Sequence, residues 1–184
     1  DPSNRDFGAT TFNYDLQLNF ETSFTGKDLL LAVLRAGNFD GGNNAFGGAY
    51  ANGLSTLETA FQEEGGKDVL GIDKLFYQFP VAKAFTFTLG AKVGQEDMLA
   101  VWPSAYPSDT VLDVMTLNGA PAAYNKNLGA GAGVRWATDN GFSISANYVA
   151  AQGFNSNPTE GGIGTSNSQA SGTVQLAYES ESWN

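Results

Sequence analysis

Phe12-Asn13-Tyr14-Asp15-Leu16-Gln17-Leu18-Asn19-Phe20-Glu21-Thr22-Ser23-Phe24 alternates with almost perfect period two. Phe12, Tyr14, Leu16, Leu18, Phe20 and Phe24 fall on one face, and Asn13, Asp15, Gln17, Asn19, Glu21 and Ser23 on the other. Side chains of a β-strand point alternately to opposite sides, so one side is apolar and the other polar. The run ends in a polar turn, Thr25-Gly26-Lys27-Asp28. A strand of this length suits a wall with lipid on one side and water on the other.

Six further strands are expected around it. The first two span about 10–24 and about 28–37. The next pair, about 69–79 and about 85–94, is joined around Pro80-Val81-Ala82-Lys83-Ala84. The pair at about 127–137 and about 141–151 meets at Thr138-Asp139-Asn140-Gly141, and Asn-Gly is a strong hairpin signal because both residues tolerate positive φ. A seventh strand is expected at about 170–179. Long irregular stretches at about 38–68, 95–126 and 152–169 separate the hairpins. Such loops are uncommon inside compact soluble domains, and short turns alternating with long loops are typical of outer-membrane barrels.

Alternation assigns the faces. The fourth strand turns Phe85, Phe87, Leu89, Ala91 and Val93 outward and Lys92 inward. The fifth turns Gly129, Gly131, Gly133 and Arg135 inward, and the sixth Ser143, Ser145 and Asn147. The seventh turns Val174, Leu176 and Tyr178 outward and Gln175 inward. In the third strand Leu75, Tyr77 and Phe79 point out, but Phe76 then points in and Asp73 out; a bulge, or Asp73 lying above the apolar band, resolves the conflict. Phe24, Tyr77, Phe79, Phe85, Phe87, Trp136 and Phe142 lie close to short turns. They are expected to form one aromatic belt, joined by Tyr178 and Trp183.

Composition excludes several classes. The 184 residues include no Cys and no His, which removes disulfides, most zinc sites and every Ser-His or Cys-His nucleophile arrangement. A net charge of −10 argues against nucleic-acid binding. No apolar stretch is long enough for a transmembrane helix. The chain begins at Asp1 within a polar segment, as a processed or truncated chain would. Glu63-Glu64 and Glu96-Asp97 could hold a hard cation, but solvated loop carboxylates are expected. The same holds for Asp109 and Asp113, one helical turn apart. Gly129-Ala130-Gly131-Ala132-Gly133 lies within a strand pattern, so it is not a dinucleotide loop; its glycines leave space or admit a neighbouring loop. No cofactor, metal or catalytic residue is expected.

Phe12-Asn13-Tyr14 through Leu34-Arg35-Ala36-Gly37-Asn38-Phe39, with Asp73-Lys74-Leu75-Phe76-Tyr77-Gln78-Phe79-Pro80, resembles the cyanobacterial outer-membrane porins. These are labelled iron-uptake porins and relatives of the carbohydrate-selective porins. The resemblance implies an all-β, antiparallel transmembrane β-barrel of roughly 16 strands with short periplasmic turns and long extracellular loops. This chain, 1–184, supplies about seven of them, as an interior piece of a larger barrel domain. The family's surface-layer-homology domain, which contacts peptidoglycan, and its coiled coil are not in this sequence. Implied are an outer-membrane location, contact with its lipid, a homotrimer, and passive diffusion of small hydrophilic solutes and ions, iron included.

On that reading Asp15, Gln17, Glu21, Arg35, Lys74, Lys92 and Arg135 line the pore. Relatives often carry arginine where this chain has Asp15, Gln17, Leu31 and Val33, so an anion preference does not carry over. The inward cations either steer solutes or pair with Asp15 and Glu21 across strands. Leu29-Leu30-Leu31-Ala32-Val33-Leu34 loses its alternation, which suggests a loop packed on its inner side. The apolar 95–126 stretch is the candidate constriction loop, with Trp102, Asp109 and Asp113. The alternative is a secreted or surface-attached soluble β-protein that binds carbohydrate through Trp102, Tyr106 and Tyr124.

Overall fold

In the computed structural model, residues 9–39, 57, 59–107, 110, 112, 115 and 127–180 are described. They form seven strands: β1 (Asp15–Thr22), β2 (Leu29–Gly37), β3 (Gly71–Val81), β4 (Phe85–Gly94), β5 (Leu128–Ala137), β6 (Phe142–Ala150) and β7 (Ala170–Tyr178). All seven belong to one antiparallel sheet in the order β1-β2-β3-β4-β5-β6-β7, each strand beside the next. Glu96–Met98 is a single 3-10 turn. No helix among the described residues is long and apolar enough to cross a membrane. The residues divide into two compact units, drawn from Asp1–Leu18, Val33–Asp73 and Ser104–Gly119, and from Asn19–Ala32, Lys74–Pro103 and Ala120–Asn184.

Six strands match the expected spans to within about two residues, the spread inherent in strand ends. The first is shorter than expected because both of its ends are claimed by side chains. At one end the Tyr14 amide donates to Asn38 Oδ1 (2.8 Å) and Asn13 Nδ2 donates to the Asn38 carbonyl (3.1 Å). At the other, Asp28 gathers the amides of Phe24 and Thr25 and the hydroxyls of Ser23, Thr25 and Tyr77. Those bonds hold the Asp28 carboxyl well below the usual carboxylate range, the Thr25 hydroxyl contributing most. Phe12 and Phe24 therefore lie beyond the strand and are exposed. The β3–β4 turn is tight, with Ala82 at φ +59°.

Burial in the second unit inverts that of a water-soluble sheet. Thr88, Ser143, Ser145, Asn147 and Gln175 are buried. Phe85, Phe87, Leu89, Phe142, Ile144, Val174 and Leu176 on the opposite face are exposed. Both sets follow the alternation expected for β4, β6 and β7. The buried apolar cluster is small: Phe76, Val93, Met98 and Val149, with Leu31 packed against it.

Val93 corrects an expectation. It was assigned outward, yet it is fully buried in that cluster on the polar face. The β4–β5 register slips between Gly90 and Val93, so one extra residue reverses the phase of the strand. Toward β3 the same extra residue of β4 appears as a slip between Leu75 and Phe76, where Leu75 stands opposite Lys92 and Phe76 opposite Gly90. The bulge expected in the third strand therefore lies in β4. Phe76 is buried on the polar side, as alternation with Tyr77 and Phe79 requires, and Asp73 is buried too.

Near the short turns the rings associate as expected. Tyr77 stacks on Phe79 (5.4 Å), Phe79 on Phe87 (6.1 Å), and Phe24 meets Tyr77 edge-on (6.1 Å). Phe142 contacts Tyr178 at 4.7 Å, and Phe85 stands opposite Trp136. Trp183 lies outside the described residues.

Candidate functional site

The polar face of the second unit carries a loop, and Gly133 of β5 makes room for it. A Cβ at Gly133 would lie 2.8 Å from Met98 Sδ and 3.1 Å from Asn147 Cβ. One at Gly131 would lie 2.9 Å from Val93 Cγ1. One at Gly129 would lie 2.3 Å from the Ala150 carbonyl oxygen. Gly133 thus admits the neighbouring loop, one of the two roles expected for these glycines, while Gly131 and Gly129 allow close approach within the sheet.

Residues 95–103 are fastened to that face by a ladder of side chains. Gln95 Nε2 donates to Asn147 Oδ1 (3.0 Å), and Asn147 Nδ2 returns a bond to the Gln95 carbonyl (3.3 Å). The Ala100 amide donates to Ser145 Oγ (3.2 Å). Gln175 takes both groups of Val101: its Oε1 accepts from the amide (3.1 Å) and its Nε2 donates to the carbonyl (2.7 Å). Ser145 and Asn147 of β6 and Gln175 of β7 thereby supply what a strand edge would, pairing the Gln95 carbonyl, the Ala100 amide and both groups of Val101. Leu31 of β2 packs against the cluster of Phe76, Val93, Met98 and Val149.

Glu96 and Asp97 depart from the solvated reading. Lys74 Nζ donates to Glu96 Oε1 (3.1 Å) and Asp97 Oδ1 (2.7 Å), and Asp97 Oδ2 accepts from the Gly94 amide (2.9 Å). The Glu96 side chain is only 10% exposed and its Oε2 is buried with no hydrogen-bond partner. Burial raises the Glu96 carboxyl above the usual glutamate range; Lys74 pulls it back, and Asp97 pushes it up again.

In the first unit Arg35 is equally engaged. Its Nε and NH2 grip both oxygens of Asp15 (2.9 and 2.7 Å), NH1 lies 3.8 Å from Asp73, and its guanidinium sits 4.5 Å over the Phe61 ring. The Arg35–Asp15 pair is the cross-strand pairing named as one role for the inward cations. Sequence reasoning missed Asp73, Phe61, Glu96 and Asp97 as its partners and Lys74's. They are separated from these cations by more than twenty residues in sequence.

The remaining expected positions stay apart. Gln17 and Glu21 on β1 are exposed. Arg135 NH2 donates to the neutral Gln78 Oε1 at 3.4 Å. Lys92 is half-buried at the bulge. Trp102 is half-buried and Tyr106 exposed, while Asp109, Asp113 and Tyr124 lie outside the described residues. Among the described residues no cluster of carboxylates suits a metal ion.

On the apolar face lie two shallow recesses. Phe85, Val134, Trp136, Ile144 and Ala146 line one of about 410 Å³. Leu89, Ala91, Ala130, Ala132, Tyr148 and Ile163 border another of about 430 Å³.

No protein-family model matches the chain, and no solved structure matches it. It is 28% identical over 171 residues to an uncharacterized protein of Synechocystis sp., an alignment covering 92% of this chain and 30% of that protein. It is 29% identical over 174 residues to an uncharacterized protein of Nostoc sp., covering 85% of this chain and 29% of that protein. The chain spans less than a third of the length of these curated relatives.

Proposed function

We propose that this chain is a segment of an outer-membrane β-barrel that acts as a porin. The observation that carries the reading is the inverted sheet. Large apolar side chains stand exposed along β4, β6 and β7, while the hydroxyl and amide side chains between them are buried. Water penalises a bare face of Phe, Leu, Ile and Val, at roughly 25 cal/mol for each Å² of apolar area. Acyl chains remove that penalty, and a polar opposite face suits a water-filled interior.

Two further features support the same reading. The rings near the short turns have the amphipathic-girdle character found where lipid meets headgroups. Among the described residues β1 and β7 are the outermost strands of the sheet, and barrels remove such edges by closure. The closing strands, roughly nine in a 16-stranded barrel, belong to the rest of a chain as long as its relatives.

The mechanism is size-limited diffusion of small hydrophilic solutes and ions, with no catalytic step. Residues 95–103 narrow the interior because they occupy its wall. Trimer formation and passage of iron belong to the proposal through the porin resemblance alone.

The test is reconstitution. The full-length protein should need detergent to stay monodisperse and should give discrete ion steps in planar bilayers. Removing about 100–118 should raise the step size. A protein that is monodisperse in plain buffer and silent in bilayers sinks the reading.

A further inference from the structure

We infer that the polar face selects for small hydrated cations over anions, because the cations anchored on it are outnumbered by the carboxylates that hold them. The inference rests on the pore reading above. Each unit, taken by itself, obeys the same rule. In the first, Arg35 lies between Asp15 (2.7 Å) and Asp73 (3.8 Å). In the second, Lys74 lies between Glu96 (3.1 Å) and Asp97 (2.7 Å). Two negative groups against one positive group leave each cluster with an excess negative charge.

Geometry keeps these cations from serving anions. Arg35 commits two N–H groups to the fork of Asp15 and lays its plane on Phe61. Such bidentate pairs are the strongest and least adaptable ion pairs a guanidinium makes. Lys74 spends its ammonium on two carboxylates and is only 21% exposed. An anion would have to displace a carboxylate already in contact. A cation is drawn by the field of the surplus charge without displacing any group.

Other charges do not reverse the balance. Glu21, exposed on β1, adds to the negative side. Arg135 opposes it, bonded to neutral Gln78. Lys92 stands at the bulge. In the second unit Glu21, Glu96 and Asp97 outnumber Lys74 and Arg135, since the bulge that turns Val93 onto the polar face leaves its neighbour Lys92 beside Leu75 on the other. The chain's net charge of −10 acts in the same direction, since a narrow polar passage between low-dielectric walls focuses the field of its own charges.

The measurement is the zero-current potential of the full-length protein in planar bilayers across a potassium chloride gradient. It should fall on the cation side. Asp97→Asn should lower the potassium-to-chloride permeability ratio by roughly twofold, the scale of one screened charge about 8 Å away in water. Arg135→Gln should raise the ratio. Open channels that reverse at zero or on the anion side overturn the cation preference and leave the pore reading standing. So does a ratio that rises in Asp97→Asn or falls in Arg135→Gln, and either variant suffices if the other fails to fold. Absence of any ion steps overturns the pore reading and this inference with it.

Discussion

The loop after β4 and the loop after β6 both leave the sheet at the end away from the short turns, yet they meet opposite faces. Residues 95–103 turn onto the polar face and are held by side chains of Asn147, Ser145 and Gln175. Residues 151–169 turn the other way. Gly153 comes against Ala130 and Ala150, which share the apolar face, and Ile163 borders a recess with Leu89 and Ala132 there. This second loop satisfies its backbone from within. The amides of Gln152 and Gly162 bond the Ser168 and Gln152 carbonyls (3.0 and 2.9 Å), and Thr165 Oγ1 donates to the Gly161 carbonyl (2.7 Å). Its bonds to the sheet beneath include the Gly153 amide to the Ala150 carbonyl (3.0 Å) and the Gly164 amide to Tyr148 Oη (3.2 Å).

The difference follows from what each face offers. A polar face supplies donors and acceptors, so a loop can be tied to it. An apolar face supplies few, Tyr148 Oη among them, so a loop resting there must close most of its own hydrogen bonds. It then shows its own apolar side chains outward, as Phe154 (80% exposed) and Ile163 (64%) do.

Gly133→Val should break this contrast most severely. The new side chain collides with Met98 and Asn147, and overpacking of this kind costs about 1–3 kcal/mol. The loop should leave the polar face, and limited proteolysis of the refolded protein should cut within 95–103. Loss of no protection there would contradict the seat described for Met98.

A smaller effect should come from pH. A carboxyl whose pKa is raised in the folded state contributes stability that is complete below its unfolded pKa and is lost as pH rises through the folded one. Glu96 is such a group. Amide-exchange protection across Glu96–Met98 should therefore grow as pH falls from above the raised Glu96 pKa towards the ordinary glutamate range. Glu96→Gln should flatten that dependence. The loop at 151–169 should show no counterpart in the same experiment.

The smallest effect is expected for Phe154→Ser and Ile163→Ser. Both side chains are exposed, so stability in detergent should change by less than about 0.5 kcal/mol. A drop of several times that size would mean that this loop, too, is tied down through its side chains.

Much of the sheet was legible because period-two alternation fixes a face without knowledge of neighbours. Phe85 to Leu89, Phe142 to Asn147 and Val174 to Leu176 read correctly for that reason. Val93 did not, since a single inserted residue reverses the phase and leaves no mark in the pattern itself. The candidate site was legible in its cations and not in their partners. Lys74 and Arg35 stand out as charges in strands, but the carboxylates that reach them come from segments distant in sequence. The extent of the first strand also escaped. Asn38 and Asp28 cap it through side-chain bonds, and such bonds compete with the ladder on equal terms.

The inverted sheet also bears on how this chain would unfold. Ordinary domains gain their cooperativity in denaturant from apolar area that melting newly exposes, and that area sets both the denaturant slope and the heat-capacity change. Here Phe20, Phe85, Leu89, Ile144, Val174 and Leu176 are already uncovered in the folded chain. Stripped of lipid or detergent, the sheet would therefore melt with a shallow slope and a small heat-capacity change. Its resistance would come from the ladder of backbone hydrogen bonds more than from a collapsing interior.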